Sequence, residues 1–498
     1  MKKLLNSQRM KQLDSDTTRV LEIPSVVLME RAALSAVKAI RDAGFPLSNV
    51  IVLAGEGNNG GDGVCVARIL KEQGIPSDVF VIGKPSDGSE CAHQIRTALR
   101  YDIPVSYGNA SDAVCFLKNH ACTLLIDAIF GVGLNRGLGE DYVKLIRHIN
   151  AADCNVVSID IPSGVDATTG KVLNEAVRSD LTVTFGYYKT GQFLYPGASY
   201  CGSLVLDTIG ILQDTPPDPE DLYMLEPDDL RSIKRDPDSH KGTFGKILLI
   251  AGSEETGGAA ALCAMSAFRS GTGMVRIFTH ENNRDMLLEH IPEAMVTTYS
   301  DDISGLKDAF GWADVIGIGP GISYSDTARR ILRSVFLDCG LPLVLDADAL
   351  HILKSEPELM GAAAGVNRTV IITPHLKEFS DLSGINVSSI KEDKIRICRT
   401  YAKEHQLICV LKDARTVISD GKMTVLNTSG NSGMATAGSG DVLLGLITSL
   451  LGQGLDGLSA AAYGCYIHGL AGDEAASDHG QAGMVASDMI GHFKHFLE

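Results

Sequence analysis

The stretch GEGNNGGDG, residues 55–63, lies between the apolar run NVIVLA and the helical pattern VCVARILKEQG. Gly55, Gly57 and Gly60 spell G-x-G-x-x-G at a strand-to-helix turn, the signature of a dinucleotide site. In that signature an acidic residue about twenty positions on closes the second strand and holds the ribose. Here the second strand, VFVIG, ends in Gly83 and Lys84, and the nearby acid, Asp78, stands at its start. The hydride-transfer reading therefore weakens. Asn58, Asn59, Gly61 and Asp62 add something else: the turn offers N–H donors to phosphate and side-chain oxygens to a hard cation, with glycines that let a ligand approach the backbone. A glycine-rich turn demanded only by packing is the plainer alternative.

Working outward, strand-like runs alternate with helical patterns from residue 50: NVIVLA, SDVFVIG, CTLLIDAIFG, NVVSIDIPSG, DLTVTFG and finally SLVLDTIGI. This rhythm specifies a largely parallel sheet covered on both faces. Residues 211–230, ILQDTPPDPEDLYMLEPDDL, are rich in Pro and Asp and carry neither period, which marks a boundary. A second series runs GKILLIAGS, GMVRIFT, DVIGIGPG, LPLVLDADAL, TVIITPH, ICVLKD and RTVISDGKMTVLN. It ends in helical patterns around VLLGLITSLLGQG and LSAAAYGCYIHGLAGDEAA. A chain of 498 residues exceeds one ordinary core. The reading is two α/β domains, residues 1–214 and 225–498.

Apolar residues at 45% and charged residues at 21% suit a soluble globular chain. The net charge of −17 argues against gripping a nucleic-acid backbone, yet leaves room for a phosphorylated small ligand held by backbone N–H groups. Eleven cysteines are scattered without C-x-x-C or a metal-type cluster, as expected of reduced thiols in the cytoplasm. No signal-peptide core and no membrane-length apolar run is read, so no membrane partner is expected.

Two strand ends supply oxygens to match the first turn. Asp127 precedes a second glycine-rich loop, and Asp160 stands just before Pro162 and Ser163. Ligands of open parallel sheets lie beyond the carboxyl ends of the strands, so the three loops can face one crevice. A helix cap or turn explains each Asp alone; their conjunction carries the information. In the later series, residues 427–451 read NTSGNSGMATAGSGDVLLGLITSLL. Gly438, Ser439 and Gly440 start a helix whose N–H groups converge, a seat for phosphate. Asp441 follows, placed to take a proton from a hydroxyl attacking phosphorus. The bland reading is that it complements the helix dipole, worth about 0.3–1 kcal/mol. No Walker lysine follows. Lys412 and Arg415 in KDART are phosphate partners or solvated surface. His375 and Glu378 follow another strand, with no second His at zinc-ligand spacing. His468, in an Ala-rich helical pattern, reads as a packed residue.

GEGNNGGDG, DAIFGVGLNRG and SIDIPSGVDATTG, with PSVVLMERAA upstream, resemble the epimerase domain of the NAD(P)H-hydrate repair enzymes over most of residues 10–210. HKGTFGKILLIAGS, GIGPG, LDADAL, TPHLKEF, LKDART and N-x-x-G-N-x-x-M-A-x-A-G-S-G-D resemble the dehydratase domain of the same enzymes over nearly all of residues 225–498. The resemblance implies a Rossmann-like three-layer sandwich followed by a ribokinase-like α/β domain. In the first it implies a potassium ion on Asn58, Asp127 and Ser163. A hydrated nicotinamide nucleotide is implied to lie on Asn58, Asn59, Gly60, Gly61, Asp62, the loop Gly131, Val132, Gly133, Leu134, Asn135, Arg136, Gly137, and a catalytic Asp160. In the second, Lys412, Asp413, Ala414, Arg415 and Thr416 are implied to hold ADP or ATP with magnesium. Asn431, Ser432, Gly433, Met434, Ala435, Thr436, Ala437, Gly438, Ser439 and Gly440 would share that task. Ala259, Gly321, His375 and Asp441 would face the hydrated cofactor, with Asp441 as base.

The implied activity interconverts the R and S hydrates of NADH and NADPH and dehydrates the S form at the expense of a nucleotide, releasing phosphate. ADP is the expected donor, because fused chains resemble the bacterial branch, and a homo-oligomer is implied. Two departures stand out: Arg31, Ala32 and Ala33 replace the family's Asn-Ala-Gly, and Ser439 replaces the common Thr while keeping the hydroxyl. The alternative is a ribokinase-like small-molecule kinase with a nucleotide-sensing first domain, in which a phosphorylated product would accumulate.

Overall fold

Strands covered on both faces need apolar residues at every position, and such strands form the centre of the first unit, Lys3–Asp221. In chain order the strands are β1 (Lys2–Leu5), β2 (Val50–Ala54), β3 (Ser77–Ile82), β4 (Val105–Gly108), β5 (Leu124–Ala128), β6 (Asn155–Ile159), β7 (Leu181–Phe185), β8 (Tyr188–Lys189) and β9 (Ser203–Asp207). Seven form one parallel sheet in the order β4-β3-β2-β5-β6-β7-β9, and β1 pairs with β8. The period of two sorts β2 between the layers: Val50, Val52 and Ala54 pack with the helices Ser25–Asp42 and Asn58–Glu72, whereas Ile51 and Leu53 pack with Ala110–Asn119 and Glu140–Asn150. This is a three-layer sandwich. The computed structural model describes residues 1–213, 218, 220–230, 235–360 and 368–497. The expected boundary segment falls in part on residues 214–217 and 219, outside the described residues.

The second unit holds Leu222–Glu498 with Met1–Lys2. Its strands are β10 (Leu222–Met224), β11 (Lys246–Ile250), β12 (Met274–His280), β13 (Met295–Tyr299), β14 (Val315–Ile318), β15 (Leu343–Leu345), β16 (Val370–Ile372), β17 (Ile408–Leu411), β18 (Val417–Ser419) and β19 (Thr424–Leu426). They run in the order β13-β12-β11-β14-β15-β16-β17-β18-β19-β10, parallel as far as β17. β18 then pairs antiparallel with both neighbours. RTVISDGKMTVLN is therefore a hairpin, turned by Asp420 and Gly421, whose φ is +84°. On one face the helices Gly257–Arg269, Ser439–Gly452 and Gly457–His479 cover Ile247 and Leu249. β4 and β13, too short or too polar to read as buried strands, are edge strands that the sequence reading did not identify. In each sheet the order reverses once along the parallel run, between β2 and β5 and between β11 and β14. In open sheets of this kind, ligands lie at such a reversal, beyond the strands' carboxyl ends.

Candidate active sites

The helix after β2 starts at Asn58 with Gly57 as its cap, so NNGGD is its first turn rather than a loop. A Cβ added to any of four of the glycines would meet protein. A Cβ on Gly55 would lie 2.1 Å from the Ile129 carbonyl oxygen, on Gly60 1.9 Å from that of Gly55, on Gly61 2.7 Å from Met29 Cε, and on Gly63 2.4 Å from Ala128 Cβ. They let the helix and β5 close on the turn, whereas a Cβ on Gly57, the fifth glycine of residues 55–63, would meet open space. Gly60 and Gly61 are both buried, and Asn58, Asn59 and Asp62 of the same turn line the cavity beside it. That cavity, about 1170 Å³, is bounded by Asn58, Asn59 and Asp62, by the loop 131–137 and by Asp160. Asn59 Nδ2 is buried without a partner, a donor left for a ligand. Arg31 donates to the Ile209 carbonyl at 3.2 Å, and Ala32 lines the cavity.

Two residues that the sequence reading missed complete the wall: Asp14, from the helix Ser7–Val20, and Lys189, from β8. Lys189 is 1% exposed. Its Nζ donates to Asp160 Oδ1 at 2.5 Å, Thr184 Oγ1 at 2.7 Å and the Phe185 carbonyl at 2.8 Å. Gln192 Nε2 bonds the Asp160 carbonyl at 2.8 Å, and Asp160 itself sits at φ +69°, a left-handed conformation unusual outside glycine. Loss of water raises the Asp62 carboxyl well above its ordinary range, with the charges of Asp160 and Asp14 adding to the effect. Asp14 is raised for the same reasons, and burial lowers Lys189. Lys189 is thus ion-paired with Asp160 beside two carboxyls raised by burial, a setting that can supply both an acid and a base. The lysine's only sequence signal is its place beside two tyrosines after an apolar strand, and Asp14 has none.

Asp127 and Ser163 lie behind the cavity wall, both buried. Asp127 accepts from Ser158 Oγ at 2.7 Å, Ser163 N at 2.8 Å, Ser163 Oγ at 2.6 Å and Ile129 N at 3.3 Å. Burial raises this carboxyl and those bonds oppose the rise. All four donors are neutral, so this buried carboxylate gains no counter-charge from them, and the side-chain oxygens of Asn58, Asp127 and Ser163 are of the kind that a hard cation takes.

In the second unit the helix Ser439–Gly452 follows Gly438, at φ +86°, and carries no side-chain cap. Ser439 N bonds the Thr436 carbonyl at 3.4 Å, which leaves the N–H groups of Gly440 and Asp441 to whatever binds there. A Cβ on Gly440 would stand 3.2 Å from Asp346 Oδ2 and 3.4 Å from Lys412 Nζ, which brings β15, β17 and the helix start to one point. Lys412 Nζ is 2.7 Å from Asp346 Oδ1. Burial, then the Asp346 charge, pushes the Asp441 carboxyl up to about 7, against the pull of Lys412. Asp346 was not among the expected residues, although LDADAL was noted.

Gly321, at φ +63°, would with a Cβ be 3.2 Å from Ala259 Cβ, so these two are neighbours. His375 caps the helix Leu376–Ser383, its Nδ1 accepting from Lys377 N and Glu378 N at 3.2 and 3.1 Å. In KDART, Asp413 is held by Lys394 at 2.8 Å, and Thr416 Oγ1 bonds the Asp413 carbonyl at 3.2 Å. Asn431 and Ser432 are tied to the chain's own Asp473 and Gln481, at 2.9 and 2.8 Å. Residues Ala435–Gly440 stay half-buried or exposed at the helix start. His468 is buried, and loss of water takes its imidazole down to about 4, so it is a packed neutral ring.

A polar cavity at the reversal of the first sheet, and a charged cluster at an uncapped helix start in the second unit, describe a two-site α/β enzyme. Residues 247–494 match the family model described as NAD(P)H-hydrate dehydratase, and residues 25–191 match that of the YjeF-related protein N-terminus. The chain is 34% identical to the bifunctional NAD(P)H-hydrate repair enzyme of Moorella thermoacetica, over 99% of this chain and 96% of that one. It is 33% identical to that of Escherichia coli, over 96% and 90%. A solved ADP/ATP-dependent NAD(P)H-hydrate dehydratase from Bacillus subtilis, co-crystallised with ATP/Mg2+, is 28% identical over 55% of this chain and 97% of that one, with a TM-score of 0.47. The chain belongs to the family of bifunctional NAD(P)H-hydrate repair enzymes.

Proposed function

We propose that the first domain exchanges the two hydrate epimers of NADH and NADPH, and that the second returns the S hydrate to the reduced cofactor with ADP, or ATP, as phosphoryl donor. Hydration puts a proton on one carbon of the ring's enamine double bond and a hydroxyl on the carbon next to nitrogen. Hydroxide leaves poorly, and a phosphate ester leaves well. At the second site Asp441 takes the hydroxyl proton as that oxygen attacks the terminal phosphorus, and the bond to the nucleotide breaks, giving AMP from ADP. Phosphate then departs as the neighbouring carbon loses its proton, and the double bond re-forms. The observation that carries this reading is a carboxyl near 7 at an uncapped helix start, where both a base and an anion seat are needed. Magnesium enters with the nucleotide as part of the substrate. Lys412 and Gly438–Gly440 serve the phosphates.

At the first site, exchange requires the C–O bond beside the ring nitrogen to break and re-form on the opposite face. Asp62 gives a proton to the departing hydroxyl, and Asp160, ion-paired with Lys189, accepts one from the returning water. Asn58, Asp127 and Ser163 would hold potassium, which when bound supplies positive charge for the substrate's phosphates. A cytoplasmic location and a homo-oligomer accompany this reading, the location in keeping with eleven cysteines that are all free. Among the described residues no helix is long and apolar enough to cross a membrane. Sedimentation tests the assembly.

The deciding experiment incubates the purified chain with hydrated NADH and, in turn, ADP or ATP, following dihydronicotinamide absorbance and inorganic phosphate. Equal return of both signals is expected, faster with ADP. A stable phosphorylated ring with neither signal would mean a kinase. Epimer exchange that persists undiminished in Asp160→Ala would remove Asp160 from the chemistry.

A further inference from the structure

The last turns of the helix Gly457–His479 and the segment that follows carry side chains that neither crevice uses. Glu474 and Asp478 are one turn apart on that helix and share a face. Beside them stand His492, which ends the helix Ala486–His492, and His495, which ends the turn Phe493–His495. Phe493 is fully buried in the core, so both imidazoles are carried by an anchored stretch of backbone. Ligand atoms of Glu474, His492 and His495 all lie within 4.8 Å of one another. Glu474 Oε2 is 3.0 Å from His492 Nδ1 and 2.5 Å from His495 Nδ1. On its other side His492 Nε2 lies 3.5 Å from Asp478 Oδ2.

Proton accounting makes this arrangement informative. A neutral imidazole has one N–H and one bare nitrogen, and a carboxylate only accepts. His492 faces a carboxylate with each nitrogen, and the Glu474 oxygen is approached by two rings at once. An added proton on each ring satisfies this arrangement, and so does a metal ion among Glu474 Oε2, His492 Nδ1 and His495 Nδ1: the bare nitrogens then become ligands, and His492 Nε2–H donates to Asp478. That is the carboxylate–histidine–metal relay in which an outer carboxylate fixes tautomer and ring orientation.

We propose that Glu474, His492 and His495 form a site for a divalent transition metal of the zinc and nickel class, with Asp478 as the outer carboxylate. Two imidazoles and a carboxylate suit these ions, while magnesium and calcium take oxygen sets. The side chains of Glu474, His492 and His495 are 38%, 16% and 46% exposed, so the ion has access and water completes its shell. The metal would tie the long helix to the C-terminal segment, in which two of the three ligands lie, and so stabilise the folded second unit. The site is independent of the hydrate chemistry.

The test titrates zinc chloride into metal-stripped, nucleotide-free full-length protein against a chromophoric chelator, with melting curves in parallel. The wild type is expected to take up one saturable equivalent and to melt higher with zinc. The double variant His492→Ala/His495→Ala and the isosteric Glu474→Gln should each lose both effects, and melt as the wild type does without zinc. Asp478→Asn should bind about 10- to 100-fold more weakly. Cobalt in place of zinc should give a visible d–d spectrum that Glu474→Gln lacks. Equal zinc uptake by wild type and Glu474→Gln, or none by the wild type, overturns the site. Unchanged affinity in Asp478→Asn overturns coordination through His492 Nδ1.

Discussion

Replacing Asp441 by Asn is expected to abolish dehydration and, in the same variant, to stabilise the second unit at alkaline pH. The carboxyl is moved from 3.8 to about 7, first by burial and next by the Asp346 charge. At about 1.4 kcal/mol per unit, ionising it in the folded protein costs on the order of 4 kcal/mol more than in the unfolded chain. A raised value means that stability is intact below the unfolded value and is lost as pH rises through the folded one. The Asn variant escapes that loss. Its advantage should approach ~4 kcal/mol at pH 8, shrink to roughly 1.5 kcal/mol at pH 5 and disappear below about pH 4. The chain's single tryptophan, Trp312, lies in the second unit, with the Arg276 guanidinium 4.6 Å from its ring centroid. Urea unfolding followed by its fluorescence therefore reports that unit. A variant no more stable than wild type at pH 8, or an advantage that does not change with pH, would show that Asp441 is not held in a poor environment for charge, and the general-base argument would fall with it.

Dehydration by the wild type should rise with pH through about 7, as Asp441 ionises. Lys412→Met removes the cation that lowers that carboxyl, so the midpoint of kcat/KM against pH should move upward; a downward move would refute the assignment. Lys189→Met should slow epimer exchange about 10²- to 10⁴-fold while leaving dehydration intact, read by assaying each reaction on its own epimer. Removing one partner of the buried Lys189–Asp160 pair should also cost the first unit about 3–5 kcal/mol, seen as a lower melting transition. Gly60→Ala should cost about 1–3 kcal/mol, because its Cβ would fall 1.9 Å from the Gly55 oxygen, whereas Gly57→Ala, in open space, should cost under about 1 kcal/mol by the same measurement.

The fold was legible because parallel strands covered on both faces must be apolar throughout. NVIVLA, LLIDA and ICVL could therefore be read as strands without knowing their neighbours. Gly438 and Asp441 were legible too, since a helix start announces itself in local sequence. The glycines of residues 55–63 were read only in part: sequence shows that a side chain is unwelcome there, not whether protein or ligand occupies the space.

Local chemistry thus determined on its own the two α/β series, the two turns that open a crevice and the carboxylate at the second helix start, because each depends on residues adjacent in the chain. Tertiary structure alone decided which charges share a cavity. Asp14, Asp62, Asp160 and Lys189 span the length of the first unit, and Asp346 and Lys412 reach Asp441 from separate strands. Electrostatic coupling falls with distance in space and takes no account of distance along the chain, so no pattern in the sequence could state it.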